Sequence, residues 1–86
     1  MVKEQITILN KTGLHTRPGK RVVSEAKQFE CDIKLVFGEK EANVKSLIKL
    51  LKLGISQNHV VELICDGADE EAALDHMKKY ILSLEE

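Results

Sequence analysis

Seven residues of this chain, Gly13-Leu14-His15-Thr16-Arg17-Pro18-Gly19, place an imidazole, a permanent cation and a proline side by side. Imidazole is both nucleophilic and titratable near neutrality, and a guanidinium binds phosphate oxygens with a planar fork of donors. Pro18 suits the first turn of a helix, where a missing N–H costs nothing, and it biases Arg17 away from helical geometry. A helix should therefore begin near Thr16 to Pro18, with unpaired backbone N–H groups directed at the imidazole. The positive end of that helix, with Arg17 beside it, disfavours the imidazolium and favours a neutral, nucleophilic ring. Once the ring carried a dianionic group, the same N–H donors and Arg17 would hold it. The pattern suits a histidine that takes up a phosphoryl group and releases it again. A histidine at a helix start is more often a cap or a solvated residue, so the weight of this reading comes from the rest of the chain.

The flanking periodicities say what positions the motif. Before it, Val2, Ile6 and Ile8 alternate with Lys3, Gln5 and Thr7, a half-buried strand interrupted by Glu4. Asn10-Lys11-Thr12-Gly13 reads as a polar loop that delivers Leu14, a hydrophobic anchor, and then His15. After the motif, Val22, Val23, Ala26 and Phe29 mark one face of a helix that runs to about Phe29. Cys31, Ile33, Leu35 and Phe37 predict a second strand, and Gly38-Glu39 a turn into a short third strand over residues 40–43. Ser46 can cap a second helix from Leu47 to about Leu53, although no Glu or Gln completes a capping box.

That second helix has more apolar surface than one core contact needs. Leu50 and Leu53 are assigned to the core, and Leu47, Ile48 and Leu51 to an exposed docking patch. Gly54 ends the helix, Asn58 suits a left-handed turn position, and residues 60 to 65 form a nearly continuous apolar run, as in a central strand. A third helix follows, with Asp69, Glu70 and Glu71 at its positive end and Lys78 and Lys79 at its negative end. Ala73, Met77, Tyr80, Ile81 and Leu84 make its core stripe. His59 and His76 lack an arginine neighbour and a helix start, and are read as structural or solvated.

The order β-α-β-β-α-β-α gives an α+β open-faced sandwich, with the helices gathered on one face of the sheet. With 86 residues the expectation is a single domain, 1–86, able to bury about 60 % of its unfolded-chain surface. No apolar run approaches the roughly 20 residues of a membrane span, so no membrane insertion is expected. The first residues lack a signal-peptide core, which points to the cytoplasm. Cys31 and Cys65 show neither Cys-x-x-Cys nor zinc spacing, and are expected as two reduced, buried thiols. The net charge is −1, yet Arg17, Lys20, Arg21, Lys27, Lys45, Lys49 and Lys52 gather on or beside the first two helices. That basic face would steer the chain toward acidic protein surfaces. With three aromatic residues and no groove-reading motif, no nucleic acid is expected as partner.

Gly-Leu-His-Thr-Arg-Pro, Lys45-Ser46-Leu47-Ile48-Lys49-Leu50, Leu53-Gly54-Ile55-Ser56-Gln57 and Gly67-Ala68-Asp69-Glu70 stand in register along nearly the whole chain. In this they resemble the histidine-containing phosphocarrier (HPr) family of the bacterial phosphoenolpyruvate-dependent sugar phosphotransferase system. Thr16, Lys27, Phe29 and Lys49 resemble the enterobacterial type more than the Gram-positive type. The resemblance implies a four-stranded antiparallel sheet covered by three helices. It implies that His15 accepts a phosphoryl group on Nδ1 from phosphorylated enzyme I and passes it to IIA domains of sugar transporters. Arg17 would neutralise charge on the group, and the backbone around Thr16, Arg17 and Pro18 would bind its oxygens. Thr16, Lys20, Lys27, Leu47, Ile48, Lys49 and Leu51 would dock the partners. The chain is then a carrier and not an enzyme, a monomer, with no metal and no cofactor, and with regulatory protein partners conceivable.

Ser46 stands where Gram-positive relatives carry a regulatory phosphorylation site, and a phosphate there would put negative charge inside the docking patch. The helix-cap reading is preferred. Gly19 and Lys20 stand where relatives usually have alanines, which lowers helix propensity beside the motif. Ile48 replaces an aromatic residue or Met common in the patch. Two alternatives remain at this stage: a phosphocarrier of the nitrogen-related branch, and a non-catalytic regulatory module that docks through the second helix.

Overall fold

Strand β4 (Val60–Asp66) carries inward-facing Val61, Leu63 and Cys65, all buried, and this apolar strand lies inside the sheet. It pairs antiparallel with β1 (Val2–Thr7) on one side and β2 (Asp32–Phe37) on the other, while β3 (Lys40–Asn43) pairs antiparallel with β2. The order is β1-β4-β2-β3. Helices α1 (Thr16–Ala26), α2 (Leu47–Leu51) and α3 (Glu70–Leu82) complete the sequence β-α-β-β-α-β-α, the α+β open-faced arrangement expected. This computed structural model describes residues 1–85.

The register explains the interruption in β1. Glu4 lies opposite Leu63, at a core-facing position, and is half-buried. Lys78 of α3 pairs with its carboxylate, so the charge sits at the rim of the core with a partner. Inside that rim, Ile6, Ile8, Leu14, Val22, Leu35, Leu50, Met77 and Ile81 form one cluster with the β4 residues. Each such aliphatic side chain contributes roughly 1.5–3 kcal/mol by leaving water. Leu50 and Leu53 are buried, as the helix-two spacing suggests. The α3 stripe divides into fully buried Ala73, Met77 and Ile81 and half-buried Tyr80 and Leu84.

Two helices are shorter than their apolar spacing predicts. Helix α1 stops at Ala26, where its end tightens into three-residue turns, the Gln28 amide bonding the Glu25 carbonyl and the Phe29 amide that of Ala26, both at 3.2 Å, and the peptides beyond are engaged elsewhere. Lys45 Nζ donates to the carbonyls of Phe29 and Cys31 at 2.6 and 2.9 Å. Asp69 accepts from the amides of Glu30 and Cys31, both at 2.9 Å. Residues 29–31 are thus gripped through carbonyls from one side and amides from the other. This corrects the assignment of Lys45 to the basic face, since its ammonium is spent as a clasp. Helix α2 closes with the bonds Leu53 N–H to Leu50 C=O and Gly54 N–H to Leu51 C=O, both at 3.2 Å. Gly54 then turns left-handed at φ 65°, and Asn58 does so at φ 73°.

Cys31 and Cys65 are buried free thiols. Burial, with Asp69 beside it, pushes the Cys31 thiol up to about 12, and burial raises Cys65 as well, which makes both poor nucleophiles. The remaining histidines have packing roles. His76 Nε2 lies 2.7 Å from Glu25 Oε2, tying α3 to α1, with its ring beside Phe29 and Tyr80. His59 Nδ1 accepts from the Ser56 amide at 2.9 Å and its ring stacks on Phe37. Among the described residues no helix is long and apolar enough to cross a membrane.

Candidate functional site

The site is assembled by the chain leaving β1. Beyond the strand, the Ile8 amide donates to the His59 carbonyl at 2.9 Å, and the Ile8 carbonyl accepts from the Asn58 amide at 2.7 Å. Gln57 Nε2 reaches the Leu9 carbonyl at 3.0 Å. The next residues fold back on themselves. The Gly13 amide donates to the Asn10 carbonyl at 3.1 Å, and Asn10 Nδ2 donates to the Gly13 carbonyl at 2.7 Å. Leu14 then donates to the Ile55 carbonyl at 3.1 Å and buries its side chain, 2 % exposed, as the anchor the sequence suggests.

Gly13 is obligatory at this crossing. Its φ is +61°, and a β-carbon there would lie 2.4 Å from the Ile55 carbonyl oxygen and 2.6 Å from Ser56 Cα. The loop before His15 is pressed backbone to backbone onto the 54–58 turn, and no side chain can intervene.

His15 emerges as the N-cap of α1, with extended backbone at φ −74° and ψ −172°, an exposed side chain and no hydrogen bond from that side chain to the helix. Its carbonyl accepts the first intrahelical bond from Gly19 at 2.7 Å. The amides of Thr16 and Arg17 therefore precede the hydrogen-bonded ladder, at the positive end of the helix dipole. Pro18 is buried in the first turn, and having no amide hydrogen it contributes position and not a donor. Of the three backbone positions expected to bind phosphate, only Thr16 and Arg17 carry an amide hydrogen. No acidic residue occupies the first turn of α1 itself. The exposed cations Arg17, Lys20 and Arg21 follow within two turns.

Helix α2 packs on this same turn. A β-carbon on Gly19 would meet Leu47 Cδ1 at 3.4 Å and Leu51 Cδ2 at 3.6 Å, which sets the two half-buried leucines beside the start of α1. Ile48, 70 % exposed, and Lys49 face solvent on the same short helix. Thr16, Lys20, Leu47, Ile48, Lys49 and Leu51 thus belong to one region around His15. Lys27 does not: as the C-cap of α1 it stands roughly 18 Å along the axis from the His15 end. Ser46 is the N-cap of α2, its Oγ accepting from the Lys49 amide at a long 3.5 Å.

Sequence spacing points to Leu14 as the anchor of the loop, and the structure adds Asn10, Ile55 and Ser56. The Asn10–Gly13 spacing, a side chain able to mimic a backbone turn three residues before a glycine, is the local signal for the first of these. The contact with residues 55 and 56 spans more than 40 positions and leaves no local trace. Among the described residues no group of His, Cys, Asp and Glu is placed to hold a metal ion.

The family model described as the PTS HPr component phosphorylation site matches residues 2–83. The phosphocarrier protein HPr of Buchnera aphidicola subsp. Acyrthosiphon pisum is 38 % identical over 85 residues, covering 99 % of this chain and 100 % of that protein. The HPr of Mycoplasma genitalium is 43 % identical over 79 residues, covering 91 % of this chain and 90 % of that one. Identity of this order to both does not place the chain with the enterobacterial type. A crystal structure of HPr from Thermoanaerobacter tengcongensis superposes with a TM-score of 0.86 at 37 % identity, covering both chains completely. With motif, fold and relatives in agreement over nearly the full length, the chain belongs to the HPr phosphocarrier family of the bacterial phosphotransferase system.

Proposed function

We propose that His15 is the phosphoryl acceptor and donor of this carrier. The observation that carries the reading is its placement: an exposed imidazole at the N-cap of a three-turn helix whose first turn holds Arg17 and no carboxylate. A lone pair on Nδ1 attacks the phosphorus of the donor, the N–P bond forming as the donor's bond breaks, and Nε2 keeps its proton. Three oxygens must then share two negative charges, which the Thr16 and Arg17 amides, the helix dipole and the Arg17 guanidinium offset. No metal or cofactor enters the step.

The donor in this reading is phosphorylated enzyme I and the acceptors are IIA domains of sugar transporters, met in the cytoplasm by a single copy of the chain. Partners dock on Thr16, Lys20, Leu47, Ile48, Lys49 and Leu51, with Lys27 at the periphery. Exposed Ile48, with the exposed Lys49 next to it in sequence, fits an acidic partner surface with an apolar centre. Ser46 serves as a cap.

The test is label transfer from phosphoenolpyruvate through enzyme I to wild type and to His15→Ala. Labelling of wild type alone, acid-labile and base-stable as a phosphoramidate is, supports the reading. Equal labelling of both proteins overturns it by placing the phosphoryl group on another residue, and a His15→Ala variant that keeps all activity overturns it in favour of a regulatory module acting through α2.

A further inference from the structure

We infer that Asn10 is the positioning residue of the phosphoryl-accepting loop, acting on His15 through the Gly13–Leu14 peptide. The inference rests on the carrier reading above. Asn10 is the only buried polar or charged side chain among the described residues, 5 % exposed in a core otherwise built of aliphatic and sulfur-bearing side chains. A buried amide is retained in such a place only where its hydrogen bonds specify something. Here it closes a loop with its own backbone: Nδ2 donates to the Gly13 carbonyl at 2.7 Å while the Asn10 carbonyl receives the Gly13 amide at 3.1 Å.

The two bonds hold Gly13 at both its amide and its carbonyl, that is, through the peptides on either side of it. One face of that residue lies against Ile55 and Ser56, where not even a methyl group fits. The next amide, Leu14, is tied to Ile55. The residue after that is His15. The direction in which the imidazole leaves the fold is therefore set by a peptide that Asn10 holds from inside and the 54–58 turn holds from outside. The turn has its own brace, since His59 Nδ1 takes the Ser56 amide. Reaction with a partner-bound phosphoryl group requires in-line approach, and a displacement of about 1 Å costs up to 100-fold in rate. Removal of the Asn10 donor frees the Gly13 carbonyl to rotate and lets the ring leave its line of approach. The α2 patch, which is anchored through Leu50 and packs on the first turn of α1, keeps its affinity for partners.

The experiment compares Asn10→Ala, the isosteric Asn10→Asp, which offers no proton to the Gly13 carbonyl at neutral pH, and Asn10→Ser, which keeps a shorter donor. Amide hydrogen exchange at Gly13 and Leu14 and the kinetics of phosphoryl acceptance from phosphorylated enzyme I are measured on each. Expected are at least tenfold faster exchange at both amides and a kcat lowered about tenfold, with KM within twofold of wild type, for Asn10→Ala and Asn10→Asp. Asn10→Ser should recover part of the loss, and it carries the test should Asn10→Ala not fold. Ile81→Ala, a core variant far in sequence from the loop, should lose stability and keep its kcat, which separates positioning from general destabilisation. A wild-type kcat in Asn10→Asp, or unchanged exchange at Gly13 and Leu14, overturns the inference while the carrier reading stands. Absence of label on wild-type His15 overturns the carrier reading, and the inference with it.

Discussion

The loop that presents His15 and the helix that packs beside it are built on opposite principles. From Ile8 to Leu14 the loop is tied by backbone bonds to residues 55, 58 and 59 and to itself, and at Gly13 two backbones touch with no side chain between them. Helix α2 is five residues long, is anchored through buried Leu50, and turns Ile48 and Lys49 to solvent. In the proposed function His15 is the reacting group and needs an orientation that no partner supplies, which a position written into the main chain provides. A surface that meets several partners needs only a firm footing beneath side chains that are free to vary. The difference teaches which substitutions should be ruinous and which merely adjust affinity.

The largest effect should come from Gly13→Ala. A left-handed φ and a β-carbon 2.4 Å from a carbonyl oxygen require the crossing to separate, at a cost above about 4 kcal/mol in urea unfolding. Gly54→Ala is the control, since Gly54 is also left-handed but has nothing within 4 Å of the added carbon, and it should lose only about 1 kcal/mol. Equal losses at the two glycines would mean that the close approach is not what fixes the loop. Next comes a contrast within α2. Leu50→Ala should cost about 3 kcal/mol, whereas Ile48→Ala should change stability by less than about 0.5 kcal/mol and raise the KM for partners several-fold. An Ile48→Ala variant with unchanged KM would remove this helix from the docking surface.

The clasp on residues 29–31 supplies the third test. Lys45→Met leaves two carbonyls without their charged donor and should cost about 2 kcal/mol. Asp69 makes the same turn sensitive to acid. Its bonds from the Glu30 amide, and from Cys31, hold its carboxyl below the usual carboxylate range. A carboxylate depressed in the folded state adds stability above its unfolded value near 4, and that stability is lost as the pH falls through the depressed value. Wild type should therefore lose stability on acidification below about pH 4 more steeply than Asp69→Asn. Parallel pH profiles of unfolding for the two proteins would show that the clasp is not electrostatic.

Much of this architecture is legible in the sequence because it follows local rules. Alternation gives β1 and β2, the spacing of Val22, Val23 and Ala26 gives the buried face of α1, and Pro18 places its first turn within the motif. Ser46 caps the start of α2, and Gly54 turns the chain left-handed three residues beyond its end. What is illegible is what crosses the chain. The grip on residues 29–31 beyond the end of α1 depends on Lys45 and Asp69, 14 to 39 residues away, and nothing in Gln28-Phe29-Glu30 announces it. Lys45 reads as one more surface cation for the same reason. In the loop, the residue types of His-Thr-Arg-Pro suggest the phosphoryl chemistry proposed above, yet the backbone crossing beneath them appears only when residues 13 and 55 are brought together.

The smallest effect is expected where the two regions meet. Gly19 lies in the first turn of α1, buried against Leu47 and Leu51 of α2, at an ordinary helical position where glycine costs up to about 1 kcal/mol relative to alanine. The added methyl would find its nearest neighbours at 3.4, 3.5 and 3.6 Å, ordinary contact, and the closest is the end of a flexible leucine side chain. Gly19→Ala should therefore stabilise the fold by about 0.5–1 kcal/mol, raising the thermal midpoint by roughly 4 °C. Its effect on transfer then discriminates between footing and surface. If Leu47 absorbs the methyl by a rotation of its tip, stability rises and the KM for partners moves by less than twofold. A gain in stability accompanied by a several-fold change in KM, with kcat preserved, would show that the footing between α1 and α2 sets partner affinity without disturbing the histidine.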